Sequence, residues 1–586
     1  MIFSRIKSLM VVLCLFGISL SAQIPQGYEK GLSTISKKEL YESLSYLASD
    51  SLKGRPTGSP ENLAAAKFIA EKFQSYGLKP LFQSARKVQK KESDDESKSD
   101  IQTESQSGLD LYFQKFNLEQ SKINDNCTLS LIDKNGDNSI TRSYSFKNDF
   151  LVQSFGSQCI SAEAQIVFVG YGIDKGENGY SDYTDAQGKA IDVKNKIVVL
   201  LEGFPQERDP KSIFSKAKNP LYINPMRKID LAFEKGAIAV LIVNSPFKND
   251  PPVNIKYEKA IHNFERDNFS IPDLNKNEIP AFYVNNNVVD DILSGSNKNV
   301  KKICEEIDKT LKPASFTMQN KTLKFQVNYD VQFLKTQNVL GLVEGTDPVL
   351  KNEFIVIGAH YDHVGLGYHG AMFKKDIGRI FNGADDNASG TSGLIEIAEA
   401  FAKSPAKRSI LFIAFTVEEN AMMGSRYYVK DQPLLPLDKT VAMFNLDMVG
   451  RNDTDELYVG GAFYSSDLIK IAQRANEKVG FELFFNTGIL TMGSDQAFFI
   501  RKEIPSLFFF SGMHDDYHTP EDKIEKINFD KTEKVAKLAF LSAWITANEN
   551  EKPKYKEATV EERSEIVKES LNRHNEFISN KKKQNN

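Results

Sequence analysis

Between about Lys321 and Glu551 the chain alternates short apolar runs, NEFIVIGAH, RSILFIAFTVEE, KTVAMFNLD and IPSLFFFSG, with stretches of helical period such as Gly390 to Lys403 and Ser466 to Val479. Apolar strands that lack polar alternation are buried on both faces. The pattern therefore predicts an α/β fold with a mainly parallel mixed sheet covered by helices on both faces. A different rhythm runs from about Ala162, where AQIVFVGYGI, KIVVLLEG, a helical stretch around Met226 to Lys235, AIAVLIVNS and IPAFYVN follow one another. This reads as a smaller, inserted α/β module. Ahead of it, two helices are predicted on either side of the Gly54 to Pro60 breakers. The second presents Leu63, Ala66, Ile69, Ala70 and Phe73 and ends at Gly77. The tract Gln83 to Gly108 is polar, repetitive and nearly free of large apolar residues, so it is expected to be a disordered loop. After Glu551 comes a charged helix with Val560, Val567, Leu571 and Ile578 near one face.

The expected division is thus a leader at 1–22, an N-terminal part of the main domain at 23–161 with its loop at 83–108, the inserted module at 162–315, the remainder of the main domain at 316–550, and a helical tail at 551–586. The leader is read from Arg5 and Lys7, the apolar run Leu9 to Leu20, and small residues at Ser21 and Ala22. That combination is a secretory signal peptide, and its run is too short to span a bilayer. Leu13 before Cys14 is too large for a typical lipoprotein cleavage site. The chain is expected to be exported to the periplasm, cell surface or medium, with no integral membrane segment after cleavage.

Composition narrows the function without naming it. Of 586 residues, 41% are hydrophobic and 26% charged, as in an ordinary globular protein. The net charge of −4 gives no basic footprint, so no nucleic-acid partner is expected. Cys127, Cys159 and Cys304 are odd in number and lack metal-type spacing, so disulfides are not the framework, although one pair is compatible with an oxidising compartment.

The chemistry lies where the apolar runs stop. His360, the doublet Glu418-Glu419, Asp447 and then His518 each follow a predicted strand, and Asp385-Asp386 sit just before a helix N-terminus at about Ser389. Side chains at the carboxyl ends of parallel strands converge in one crevice. Any one of them alone is an ordinary loop residue or cap, but two imidazoles and three or more carboxylates at one sheet edge point to a metal site. Imidazole and carboxylate without thiolate suit zinc, with cobalt or manganese as substitutes. Two metals sharing a carboxylate need about five ligands, and five are present. A general base beside them must not itself be a ligand, and the Glu418-Glu419 doublet provides for both roles.

The motifs HYDHVG (360–365), NGADDNASG (382–390), FTVEEN (415–420), NLDMVG (445–450) and DYHTPED (516–522) together resemble those of the two-zinc aminopeptidase family, which also contains glutamate carboxypeptidases and glutaminyl cyclases. LKGRPTGSPENLAAAKFIAEKFQSYGL resembles that family's N-terminal helices. The module with GYGI, YSDY, DVKNKIVVLLEG and KGAIAVLIVNS resembles a protease-associated domain. The resemblance implies a zinc exopeptidase-like fold and two Zn2+ per chain. One zinc would be held by His360 and Asp447, the other by Glu419 and His518, with Asp385 bridging them through a residue pair, Asp385-Asp386, joined by a cis bond. Glu418 would be the general base, Asp362 would orient His360 through its other nitrogen, and Tyr517 would help bind the tetrahedral intermediate. Gln496 stands where many relatives carry a histidine, so fine specificity does not transfer. His363, His369 and His514 exceed the ligand count and are expected as pocket wall or outer support.

The expected activity is a secreted metallo-aminopeptidase acting on peptides. A carboxypeptidase for acidic C-termini is the alternative that needs a basic pocket, with Arg379, Arg451 and Arg501 as its possible components. A glutaminyl cyclase, a metal-dependent phosphodiesterase and a non-catalytic receptor or scaffold complete the alternatives. The oligomeric state is not legible.

Overall fold

The structure is a computed structural model that describes residues 23–82, 108–135, 138–153, 159–216, 224–248, 250–257, 268–272, 279–485 and 490–584. The expected leader, all but the last residue of the expected loop 83–108, and His262 lie outside the described residues. The chain forms two units, one made of 1–114, 338–366 and 372–586, the other of 115–337 and 367–371. The chain passes between them within the strands Phe113–Ile123 and Tyr329–Val343.

In the first unit we number the strands β1 (Tyr329–Val343), β2 (Phe354–His360), β3 (Ser409–Phe415), β4 (Thr440–Leu446), β5 (Glu456–Gly460), β6 (Glu482–Phe484) and β7 (Ser506–Phe510). Its principal helices are α1 (Lys37–Leu47), α2 (Pro60–Ser75), α3 (Gly390–Lys403), α4 (Ser466–Asn476), α5 (Gln496–Ile500), α6 (Phe529–Asn548) and α7 (Val560–Gln584). The sheet order is β6-β5-β7-β4-β2-β3-β1. Strands β3, β2, β4 and β7 run parallel, whereas β1 on β3 and β5 on β7 are antiparallel. The expected mainly parallel mixed sheet is what forms.

Both sheet faces are covered, which is why the strands carry no polar alternation. Ile355, Ile357 and Ala359 of β2 and Ile410, Phe412 and Ala414 of β3 pack with α2, α3 and α6. Their neighbours Val356, Leu411, Ile413 and Phe415 pack on the other face with Tyr428, Phe498 and Phe499. The expected Gly54–Pro60 break separates α1 from α2, whose start is capped by Ser59 accepting the Asn62 N–H with Pro60 at its first turn. Helix α7 is docked rather than loose, since Phe577 and His574 pack on Phe484 and Lys581 pairs with Asp453.

The second unit is likewise mixed α/β, with strands Ile160–Phe168, Ile197–Leu201, Ala239–Val243 and Ala281–Val284 in parallel succession at its centre. It begins earlier than the expected 162–315 insert. The strands Thr128–Asn135 and Asn138–Tyr144 are zipped onto Phe316–Val327, which also pairs with Ile160–Phe168, so Lys115 to Gln337 folds as one body. The polar alternation of those early strands disguises their membership. Cys127, Cys159 and Cys304 are free thiols. Among the described residues no helix is long and apolar enough to cross a membrane.

Helix α3 holds Glu396 at 1% exposure, with Oε2 accepting the Ser36 N–H at 3.3 Å. Burial, reinforced by Glu39 and Glu399, pushes its carboxyl up to about 8. The folded chain therefore holds a proton that the unfolded chain releases above its ordinary value of 4.5, and stability falls as pH climbs from about 4.5 to 8. Glu396→Gln should flatten that fall, so that its Tm drops less than the wild type's between about pH 5 and pH 8.5. Equal drops in the two proteins would show that Glu396 does not titrate there.

Candidate metal centre

The site lies outside the carboxyl ends of β2, β3, β4 and β7, where β2 meets β3 on one side and β4 on the other. A parallel sheet has its crevice at such a switch point. His360 closes β2, Glu418 and Glu419 follow β3, Asp447 follows β4, and His518 follows β7. Several residues that aim these side chains adopt left-handed backbone: Val417 (φ 60°), Met448 (φ 55°) and His518 itself (φ 52°). Such outliers cost free energy and persist only where the surroundings determine them.

Two groups of donor atoms, each gathered within 4.8 Å, occupy the crevice. His360, Asp386 and Asp447 form one, and His363, Asp386, Glu419 and His518 form the other. In the first, His360 Nε2 lies 3.2 Å from Asp447 Oδ1 and 3.4 Å from Asp386 Oδ1. In the second, His518 Nε2 lies 3.1 Å from Asp386 Oδ2 and 3.0 Å from Glu419 Oε2. Asp386 thus presents one oxygen to each group. Burial pulls the pKa values of His360 and His518 down, but the surrounding carboxylates push both well above the ordinary value, and Asp386 is held well below its own by His363, His360 and His518.

His360, Glu419, Asp447 and His518 are brought together as the sequence leads one to expect, but the residue between the two groups is Asp386 and not Asp385. The Asp385 carboxylate turns away: Oδ1 accepts the Gly450 N–H at 2.6 Å, and Oδ2 lies 3.2 Å from His514 Nε2. Adjacent acids in this irregular loop point in different directions, and Asp522 decides which points where. Its carboxylate accepts the backbone N–H groups of both Asp385 (3.0 Å) and Asp386 (3.0 Å) and so pins the two peptides. The cis bond is likewise one residue later than expected, between Asp386 and Asn387. Asn387 then ties this loop to the Asp447 segment, donating to the Leu446 carbonyl and accepting the Met448 N–H.

Asp362 supports His360 by its backbone, since His360 Nδ1 donates to the Asp362 carbonyl oxygen at 3.2 Å while carboxylate Oδ1 is 3.8 Å away. That bond fixes the tautomer that leaves Nε2 facing the carboxylates. The Asp362 carboxylate instead accepts the Glu418 N–H at 3.1 Å and so places the Glu418 peptide. Glu418 lies beside the first group, with Oε2 3.9 Å from His360 Nε2, and burial pushes its carboxyl well above the ordinary value. The Tyr517 ring stacks on His518 at 3.9 Å between centroids, and burial raises its hydroxyl pKa. His369 packs edge-on to Phe269 in the second unit. Gln496 is buried and engaged, accepting from Asn445 and donating to the Thr491 carbonyl oxygen.

Arg55 is a further support that the sequence does not announce. It is fully buried, donates from Nε to Tyr361 O (2.8 Å) and from its Nη atoms to Asn382 O (2.7 Å), Gly383 O (3.0 Å) and Leu47 O. It thereby clamps the His360 and Asp386 loops together. Burial lowers it to about 10, while Asp386, Asp362, Asp522 and Glu419 favour its charge. Arg55→Met strands these carbonyls and should cost about 3 kcal/mol or more in urea unfolding; an unchanged midpoint would show that the clamp is idle.

The donor set, imidazole nitrogens and carboxylate oxygens without thiolate facing one another at about 3 Å, fits zinc. Residues 338–543, which carry every member of the two groups, match peptidase family M28. Among curated relatives, the chain is 31% identical over 230 residues to aminopeptidase YwaD of Bacillus subtilis (strain 168), covering 37% of this chain and 46% of that protein. It is 30% identical over 195 residues to leucine aminopeptidase 2 of Trichophyton rubrum, covering 32% of this chain and 35% of that one. The chain spans less than half the length of these relatives. Among solved structures it is similar to the aminopeptidase from Aneurinibacillus sp. strain AM-1, with 19% identity and a TM-score of 0.48 over 91% of this chain and 98% of that one.

Proposed function

We propose that the chain is a two-zinc exopeptidase that removes N-terminal residues from peptides. The observation that carries this reading is the Asp386 carboxylate shared between two donor groups, with a buried non-ligand carboxyl, Glu418, beside them. His360 and Asp447 would hold one zinc, Glu419 and His518 the other, with Asp386 between. When bound, such a pair supplies Lewis acidity toward the scissile carbonyl and lowers the pKa of water. Glu418 takes a proton from the attacking water at its carboxylate and delivers it to the leaving amine nitrogen. Burial, which favours the neutral carboxyl, makes it basic enough for the first task. The Tyr517 hydroxyl, kept protonated by burial, donates to the developing oxyanion.

The names of the curated relatives support an aminopeptidase with an apolar first residue as substrate. The arginines that a carboxypeptidase for acidic C-termini would need are engaged elsewhere. Arg379 pairs with Asp376 and Glu521, Arg451 with Asp516, and Arg501 lies over the Phe498 ring. Export rests on Arg5, Lys7 and the apolar run Leu9 to Leu20, and the second unit is read as a protease-associated domain on its GYGI and KGAIAVLIVNS motifs. A chelator-treated sample given a leucine-led peptide and its N-acetylated copy tests the reading. Cleavage of the free-amine peptide alone, and only after zinc is restored, is expected. Equal cleavage of both peptides, or activity that survives chelation, would overturn it.

A further inference from the structure

His363 stands in the second donor group, where the expected ligand set has no place for it. Its ring is buried, with Nδ1 2.7 Å from Glu419 Oε1 and 3.7 Å from Asp386 Oδ2, and it stands edge-on to His518 with centroids 5.5 Å apart. Its backbone N–H donates to the Arg55 carbonyl at 3.4 Å, which fixes the loop that carries it. Facing the ring is Gly383, at φ 59°, where an added Cβ would come within 2.5 Å of His363 Cδ2. The loop thus keeps open the space that lets an imidazole reach the carboxylates.

We propose that His363 is a fourth protein ligand of the metal position formed by Asp386, Glu419 and His518. The inference rests on the two-zinc reading above. His363, Asp386, Glu419 and His518 offer four donors within 4.8 Å of one another, and four protein ligands close a zinc site to further ligands. The other position has three, His360, Asp386 and Asp447, and keeps an open place. The two positions are therefore unequal. The His363 side is the tighter and more structural, and the His360 side, next to Glu418, is the one that accepts substrate.

X-ray absorption at the zinc edge of the fully loaded wild-type protein counts imidazoles directly. Three shared by two zincs are expected, and two would overturn the proposal by leaving His363 a mere hydrogen-bond partner of Glu419. Chelator competition on His363→Ser supplies the second readout. One zinc should keep its wild-type affinity while the other weakens by about 10- to 100-fold or more, and two unchanged affinities would overturn the assignment. A wild-type protein that loads fewer than two zincs would overturn the metal reading itself and this proposal with it, whereas full loading with only two imidazoles overturns this proposal alone.

Discussion

Glu418→Gln is expected to leave both zincs bound and to reduce hydrolysis of a free-amine peptide by about 100- to 10,000-fold, the range over which a positioned general base acts. The geometry separates the two properties. Glu418 belongs to neither donor group, its Oε2 lying 3.9 Å from His360 Nε2, while its backbone is fixed through the Asp362 carboxylate and does not depend on the side chain. Glutamine preserves shape and removes the ability to take a proton. A fall confined to KM, or lost zinc, would show that Glu418 binds substrate or metal instead.

The second large effect distinguishes two neighbouring residues. Asp386→Ala removes the one side chain common to both donor groups and should bring bound zinc close to zero, with activity falling in proportion. Asp385→Ala should retain zinc but lose about 1–3 kcal/mol of stability, because the Gly450 N–H loses its acceptor and His514 its carboxylate neighbour. Zinc content by plasma mass spectrometry, read beside urea midpoints, separates the two. Normal zinc in Asp386→Ala together with depleted zinc in Asp385→Ala would restore the assignment expected from the motif alone.

That reversal marks what a sequence carries and what it leaves out. The strand ends are legible because an apolar run buried on both faces stops where the chain leaves the sheet, so His360, Asp447 and the Glu418-Glu419 doublet fall at the crevice by topology alone. The helices α2 and α3 are legible through period and caps. The Asp385-Asp386 loop has no period to say which carboxylate faces inward; that choice is made by Asp522, far along the chain, through hydrogen bonds to both peptides. Arg55 is hidden for a similar reason, since its partners are carbonyl oxygens, which no residue type reveals. His363 was visible as a residue but not as a donor, because its reach depends on the space left by Gly383. The early strands of the second unit, half polar, lacked the apolar continuity that identifies their parallel neighbours.

The centre is expected to cleave the first peptide bond next to a free amine. Mass spectrometry of one mixed peptide library, half of it N-acetylated and half C-amidated, after incubation with the zinc-loaded protein, tests it most directly. Stepwise loss of N-terminal residues from every peptide with a free amine, amidated or not, and none from the acetylated half, is the expected result. Trimming that depends on a free C-terminus, or an unaltered library, would contradict it.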